Sequence, residues 1–283
     1  MLLQLLNNST RNSENVKKLK IVSLKFIKHI AIYVDLYVMI TNAQIKFIKS
    51  LAQAKNREQH KLYVAEGDKL ALEWLQSDAN VQMIIATSLW ISKNQSLNSK
   101  HPAAKVYEVD TQTLARMSQL QNPNEVLLVV GFSDSIFKAT PSSWMLALDT
   151  IQDPGNMGTI LRIADWFGIN TIICTPNCVD VYNHKVVQAG MGAHLRVSVQ
   201  YMDLQGFFTT NTLPVYAALL EGNNLFTIHP KIPGVILIGN ESKGISSSLL
   251  PYATHPITIP KIGGAESLNA GVATGIIAAY LTT

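Results

Sequence analysis

The 283-residue chain is poor in cysteine and in charge. Its two cysteines, Cys174 and Cys178, cannot build a disulfide framework. Their Cys-x3-Cys spacing, with no second pair, argues against a structural zinc site, and no metal is expected. A reducing, cytoplasmic setting follows from that usage. Only 15% of residues are charged against 47% hydrophobic, which excludes wholesale disorder. Sixteen glycines and eleven prolines exclude collagen-like and low-complexity classes, and no internal repeat is present. The longest apolar stretch, residues 21–40, is broken by Lys25, Lys28, His29 and Asp35. Its longest uncharged runs fall far short of the ~20 residues a spanning helix needs, so no membrane segment is expected. A cleaved signal is disfavoured because Lys28 and Asp35 interrupt the apolar part and no Ala-x-Ala follows. A Gly-x-Gly-x-x-Gly fingerprint is missing too, which argues against a nicotinamide-dependent dehydrogenase.

The net charge of +4 sits entirely in residues 1–38, and the other residues sum to zero. A neutral body is no general polyanion binder, so contact with nucleic acid has to come from local patches. Met39 is followed by Thr41, Asn42, Ala43 and Gln44, a helix-opening sequence with Thr or Asn as cap. Residues 1–38 are therefore read as an amino-terminal extension, with the functional protein beginning at Met39.

From residue 42 to 55, Ile45, Ile48, Leu51 and Ala52 recur at helical spacing. Lys46, Lys49, Lys55, Arg57 and Lys61 surround this helix and its exit. Strands are expected over 61–66, 81–86, 105–109 and 125–131, with helices over 67–76 and 110–120 between them. This alternation describes a small α/β domain. Ser, Asp, Thr and Pro enrich residues 132–143, and a domain boundary is placed near residue 140. Residues 39–140 and 141–283 are thus two domains. The second alternates again. Strands are expected over 144–149, 171–174, 196–200, 214–218, 234–239 and 256–259, and helices over 156–167, 184–191, 203–210 and 268–281. The pattern predicts an α/β parallel sheet with helices on both faces.

Ligands of such sheets gather beyond the carboxyl ends of the strands. Three of these ends join glycine to polar residues. The first runs from Asp153 through Gly155, Asn156, Gly158 and Arg162 to Asp165. It reads either as a simple turn, with Asn156 capping a helix and Arg162 paired to Asp165, or as a ligand site. The second is Gly239-Asn240-Glu241, where an apolar strand meets a residue without Cβ, so that backbone can approach a ligand. The third holds Gly263, Gly264, Glu266, Ser267 and Asn269. Ser267 either caps the last helix or, with Asn269, faces a reacting group. His184 and His194, near Gly190 and Gly192, read as structural.

Together the loops carry a signature that none has alone. Asn-x-Gly-x-x-x-Arg-x-Ala starts at Asn156, and Ile-x-Ile-Gly-Asn-Glu-x-x-Gly starts at Ile236. Ile-Pro-x-x-Gly-x-x-Glu-Ser-Leu-Asn-x-Gly-Val-Ala starts at Ile259. In this order they resemble the three motifs of the SpoU/TrmH family, RNA ribose 2′-O-methyltransferases of the SPOUT superfamily. The resemblance covers residues 144–283. Residues 42–131 look, more loosely, like the small substrate-binding domain that precedes the catalytic domain in many members.

The resemblance implies a SPOUT-type parallel sheet with a carboxyl-terminal trefoil knot, formed by the loops at 239–244 and 259–268 with the last helix threaded through. It implies S-adenosylmethionine as cofactor, held by Gly239, Ile259 and Leu268 largely through backbone, with Ala218 as a further contact. It also implies a homodimer through the catalytic domains. Arg162 corresponds to the family's essential arginine. A guanidinium holds its proton too firmly to be a good base, so a positioning role on phosphate and hydroxyl is expected. Asn156, Glu241, Ser267 and Asn269 would orient Arg162 and the ribose. Lys46, Lys49, Lys55, Arg57 and Lys61 become the RNA-binding patch of the first domain. Ribosomal RNA of the large subunit is the favoured substrate and transfer RNA the alternative. A non-catalytic RNA-binding protein of ribosome assembly is the rival class.

Overall fold

In a computed structural model, the described residues are 39–94, 96, 100–133, 143–229 and 232–283. The expectations for residues 1–38 and for a boundary near residue 140 fall outside them. The described residues form two sheets. None of their helices is long and apolar enough to cross a membrane.

The first sheet has four strands, β1 (Leu62–Glu66), β2 (Val81–Ala86), β3 (Lys105–Glu108) and β4 (Val126–Gly131), in the order β1-β4-β2-β3. β4 is antiparallel to both neighbours, and β2 is parallel to β3. Every residue of β4 is buried. Its side chains alternate: Val126, Leu128 and Val130 pack with Trp74 and Trp90, while Leu127 and Val129 pack with Ile45, Ile48 and Leu51. A sheet covered on both faces requires such an uninterrupted apolar strand. The helices are α1 (Asn42–Ser50), α2 (Ala54–His60), α3 (Asp68–Gln76), α4 (Ser88–Lys93) and α5 (Thr111–Ala115). Thr41 caps α1 in a capping box with Gln44. The single helix expected from residue 42 to 55 is two helices, with a break at 51–53. The helix expected to reach residue 120 ends at Ala115, because the buried Glu66 carboxylate accepts hydrogen bonds from Ser118 Oγ and the Gln119 amide.

The second sheet has six strands, all parallel, in the order β10-β8-β9-β5-β6-β7. These are β5 (Met145–Leu148), β6 (Thr171–Cys174), β7 (Ser198–Tyr201), β8 (Val215–Asn224), β9 (Val235–Ile238) and β10 (His255–Thr258). Leu146, Leu148, Ile236 and Ile238 point to one face, under α6 (Pro154–Trp166), α7 (His184–Gly190) and α9 (Ala270–Thr282). Met145, Ala147, Val235 and Leu237 point to the other, under α8 (Leu204–Thr210) and Leu249. The expected α/β parallel sheet is therefore present. β8 runs further than its apolar stretch, to Asn224, and its pairing with β10 jumps between Ala217 and Asn223.

The two sheets meet along α7, whose Val187 joins the apolar core of the first sheet. Tyr182 stacks between Phe132 at 4.0 Å and Tyr63 at 4.6 Å. Gln188 Nε2 donates to the Glu66 carbonyl at 2.7 Å, and Arg196 joins Glu73 and Asp165 at 2.8 Å each. His194 lies in this seam, its Nε2 on the Val181 carbonyl at 2.9 Å and its Nδ1 enclosed without a partner.

α6 and α7 touch at Gly158, where an added Cβ would lie 2.4 Å from Ala189 Cβ. Gly158→Ala is expected to lose about 1–3 kcal/mol in urea unfolding from overpacking. Gly275→Ala, whose Cβ would meet Ile163 Cδ1 at 3.4 Å, is expected to gain about 0.5–1 kcal/mol from helix propensity. A Gly158→Ala protein as stable as the parent contradicts this packing.

Burial pushes the His194 pKa down to about 4. The folded value lies below the ordinary 6.5, so the unfolded chain takes the proton first. Stability is then lost as pH falls from 6.5 towards 4, by about 2 kcal/mol. His194→Gln is expected to lose less stability than the parent between pH 7 and about pH 4.5 in thermal melts. Equal losses would overturn the assignment.

Candidate active site

All six strands of the second sheet run the same way, so their carboxyl ends share one edge. Asp149, just past β5, is 2% exposed. Its carboxylate accepts from Thr150 Oγ1 at 2.9 Å and from the Ser246 amide at 2.6 Å. This ties the loop after β5 to the loop after β9. Thr150 adopts a left-handed φ of 61°, a turn that sends the chain back over the sheet into α6. Asp153, not Asn156, caps α6, with Pro154 in the first turn. Asn156 lies three residues further in, 7% exposed and turned toward the sheet edge.

That displacement of the cap frees the Asn156 amide. Its Nδ2 donates to Glu241 Oε1 at 2.7 Å, and its Oδ1 accepts from Asn269 Nδ2 at 2.7 Å. Glu241 follows Asn240, whose Nδ2 donates to the Thr150 carbonyl at 2.8 Å. Asn240 and Gly244 exchange two backbone bonds of 2.9 Å and fold the turn tightly onto Gly239. A Cβ at Gly239 would lie 2.3 Å from the Gly244 carbonyl carbon, so no larger residue fits. Asn269, not Ser267, caps α9 through Oδ1 and the Val272 amide. α9 lies close on α6, where a Cβ on Gly271 would approach Thr159 Cγ2 to 2.9 Å.

Three of the five expected catalytic residues are therefore joined, with Asn156 bonded to both Glu241 and Asn269. Ser267 and Arg162 do not join them. Ser267 is exposed, with no hydrogen bond to the described residues. Arg162 is six residues along α6 from Asn156, about 120° away around the helix. It is exposed and, among the described residues, has no hydrogen-bond or ion-pair partner. Asp165, its alternative partner, is taken by Arg196. The expectation that Asn156, Glu241, Ser267 and Asn269 hold Arg162 is thus not met within this chain.

Residues expected to hold the cofactor line the same edge. Gly239 follows β9 directly, while Ala218 and Ile259 are partly buried against the core. Leu268 is 47% exposed and Ile262 fully so. Residues 261–268 make no hydrogen bond with other described residues, which leaves their amides and carbonyls available beside apolar side chains. An apolar wall with a few free backbone donors and acceptors suits a nucleoside-sized ligand.

Of the basic patch, Lys46, Lys49, Lys55 and Lys61 are exposed, and Lys61 pairs with Glu58 and lies 5.5 Å over the Phe132 ring. Arg57 is a correction. It is 3% exposed and fully engaged inside the protein, so it cannot meet an RNA phosphate. Nothing in its neighbourhood in sequence distinguished it from Lys55. Cys178 Sγ accepts the Ile151 amide and donates to the Leu148 carbonyl, a structural role under the loop after β5.

Comparison with known proteins gives a consistent set of relatives. Residues 143–279 match the SpoU rRNA Methylase family, and residues 42–128 match the MRM3-like substrate binding domain. A tRNA/rRNA methyltransferase of Synechocystis, itself uncharacterized, is 31% identical over 245 residues, covering 83% of this chain and 89% of that protein. The 23S rRNA (guanosine(2553)-2′-O)-methyltransferase RlmP of Bacillus subtilis is 24% identical, covering 85% and 96%. An AdoMet-bound rRNA methyltransferase from Sinorhizobium meliloti superposes with a TM-score of 0.78 at 28% identity, covering 86% and 96%.

Asn269 serves both the α9 cap and the tie to Asn156, and substitution can separate the two. Asn269→Ala is expected to lose about 1–2 kcal/mol in urea unfolding, and Asn269→Ser, which keeps the cap, measurably less. Equal losses in the two variants would show that the cap is not made.

Proposed function

Because the chain belongs to the SpoU rRNA Methylase family, we propose that it is an S-adenosylmethionine-dependent methyltransferase acting on a ribose 2′-hydroxyl of large-subunit ribosomal RNA. The observation that carries this reading is the junction of Asn156, Glu241 and Asn269, which brings all three motifs to one point of the sheet edge. The substrate class is supported by the names of the Bacillus and Sinorhizobium relatives. The Synechocystis relative, named for both transfer and ribosomal RNA, keeps transfer RNA as the second substrate to test.

The residues at this edge fit the cofactor. Gly239, Ile259 and Leu268, with Ala218 beside them, offer backbone polar groups and an apolar wall to an adenosine. When bound, S-adenosylmethionine supplies a methyl group on a positively charged sulfur, already activated for transfer. The chain's task is then alignment and removal of one proton. Asn156, Glu241 and Asn269 form a pre-set polar cluster that orients the ribose. Glu241 is its one carboxylate. Arg162 fixes the target phosphate and hydroxyl, and base action is a minor role because a guanidinium keeps its proton. Ser267 adds a hydroxyl from the exposed loop before α9.

Domain roles follow the chain. Residues 39–140 read the RNA through Lys46, Lys49, Lys55 and Lys61, and residues 141–283 carry the methyl transfer. A trefoil knot in the carboxyl-terminal part is supported by the strand order. β10 lies at the sheet edge, yet α9 packs on α6, which follows central β5. The loop between must cross the ends of β8 and β9. Knots are rare enough that each deserves a direct structural test. A homodimer through the catalytic domains is supported by two exposed apolar side chains it could cover, Trp166 on α6 at 84% and Val272 on α9 at 51%. Such pairing also offers the unpartnered Arg162 a site to complete. A cytoplasmic location accords with substrate and cysteine usage.

Radiolabelled S-adenosylmethionine, the protein and RNA from cells lacking it test the activity. The expected product is label in an alkali-resistant dinucleotide of large-subunit RNA, with none in DNA. Arg162→Ala is expected to lose methyl transfer while still binding S-adenosylhomocysteine in calorimetry. Near-parent turnover in that variant would refute its role, and label released as mononucleotide would refute ribose as the acceptor.

A further inference from the structure

The seam between the sheets holds a charged contact that the chemistry above leaves unused. Arg57, on α2, donates from Nε to Asp180 Oδ2 at 2.8 Å, with Nη2 2.6 Å from the same oxygen. Its Nη1 donates to the carbonyls of Leu51 at 2.9 Å and Ala52 at 2.7 Å. A guanidinium this buried and this fully bonded is costly to leave without its carboxylate. Asp180 belongs to the other sheet, on the loop after β6. Its Oδ1 accepts from the Tyr182 amide at 2.9 Å.

That loop is fastened to the candidate active site at several points. The Val179 amide donates to the Ile151 carbonyl at 2.8 Å, and the Ile151 amide to Cys178 Sγ at 3.2 Å. The Thr150 amide donates to Thr175 Oγ1 at 2.8 Å, and the Thr150 carbonyl accepts from Asn240, next to Glu241. A continuous set of hydrogen bonds thus runs from α2 of the first sheet to the Asn156–Glu241 pair.

We propose that Arg57 is a positioning residue: by clamping Asp180 it fixes the RNA-reading domain against the loop that supports the active site, and so sets which nucleotide is presented for methylation. This rests on the RNA methyltransferase reading for its consequence, but not for its geometry. The exposed lysines hold the RNA, and Arg57 holds the domain that carries them. Phe132, Tyr182 and Tyr63 supply apolar adhesion along the seam, and the ion pair supplies its register.

The test uses the full chain with Asp180→Asn, which keeps shape and removes the charge. Spin labels at Lys93→Cys and Ser247→Cys, both exposed, report the distance between domains in samples diluted with unlabelled chain. Cys174 and Cys178 are buried and stay unlabelled. The parent is expected to show one narrow distance distribution and Asp180→Asn a broad one. S-adenosylhomocysteine affinity is expected to stay within about twofold, while kcat on ribosomal RNA falls on the order of 10–100-fold with little change in KM. Label is expected to spread to neighbouring nucleotides, and Asp180→Glu to recover part of both readouts. Should Asp180→Asn fail to fold, Arg57→Lys, which keeps the charge but loses the fork, is read the same way. An equally narrow distribution, or parent turnover at the parent nucleotide, overturns the proposal. If the parent itself transfers no label, the methyltransferase reading fails, and the distance distribution still decides whether the clamp exists.

Discussion

The side-chain amide of Asn156 is the point on which the site depends. It bonds to both other motifs, donating to Glu241 and accepting from Asn269. An amide suits this place because it carries donor and acceptor on one rigid plane. A carboxylate there would face Glu241, and an aliphatic residue would leave Glu241 and Asn269 each without this partner. Around this junction the backbone is held by equally specific means: the Asp149 carboxylate on the Ser246 amide, the Asn240 side chain on the Thr150 carbonyl, and Gly239 pressed beneath the Gly244 turn. The parallel sheet supplies the platform, since three of its strands end where these loops begin.

The first sheet is joined to that platform by more than a linker. The aromatic stack of Phe132, Tyr182 and Tyr63, the buried pair of Arg57 with Asp180 and the pair of Arg196 with Glu73 all join the two sheets. The exposed ion pairs of Arg196 contribute little to stability, whereas breaking the buried pair strands a charge. The domain that carries the exposed lysines of α1 and α2 therefore has its orientation fixed from inside the protein.

The sheets and the three loops were legible because they rest on local signals. β4, β5 and β9 read as strands from their unbroken apolar runs, and each loop announces itself by glycine beside polar residues at a strand end. The helix caps were legible only in part. Thr41 caps α1 as expected. At α6, Asp153 followed by Pro154 outcompetes Asn156 as cap, and that shift of three residues turns Asn156 from a helix-end group into the hub of the site. At α5, Glu66 captures Ser118 and Gln119 and stops a helix whose sequence would have continued. Arg57 was illegible for the same reason. Its burial is decided by Asp180, far away in sequence, and no local pattern separates it from the exposed Lys55. The partners of Arg162 are likewise absent from its own neighbourhood.

A crystal structure of the protein with S-adenosylhomocysteine tests the central claim most directly, because it asks whether the three loops form one cofactor and transfer site. The account predicts the ligand against Gly239, Ile259 and Leu268, with its sulfur facing the Asn156–Glu241–Asn269 cluster and both Asn156 bonds intact. Ligand bound away from this edge, or a cluster that breaks apart when the ligand binds, would contradict it.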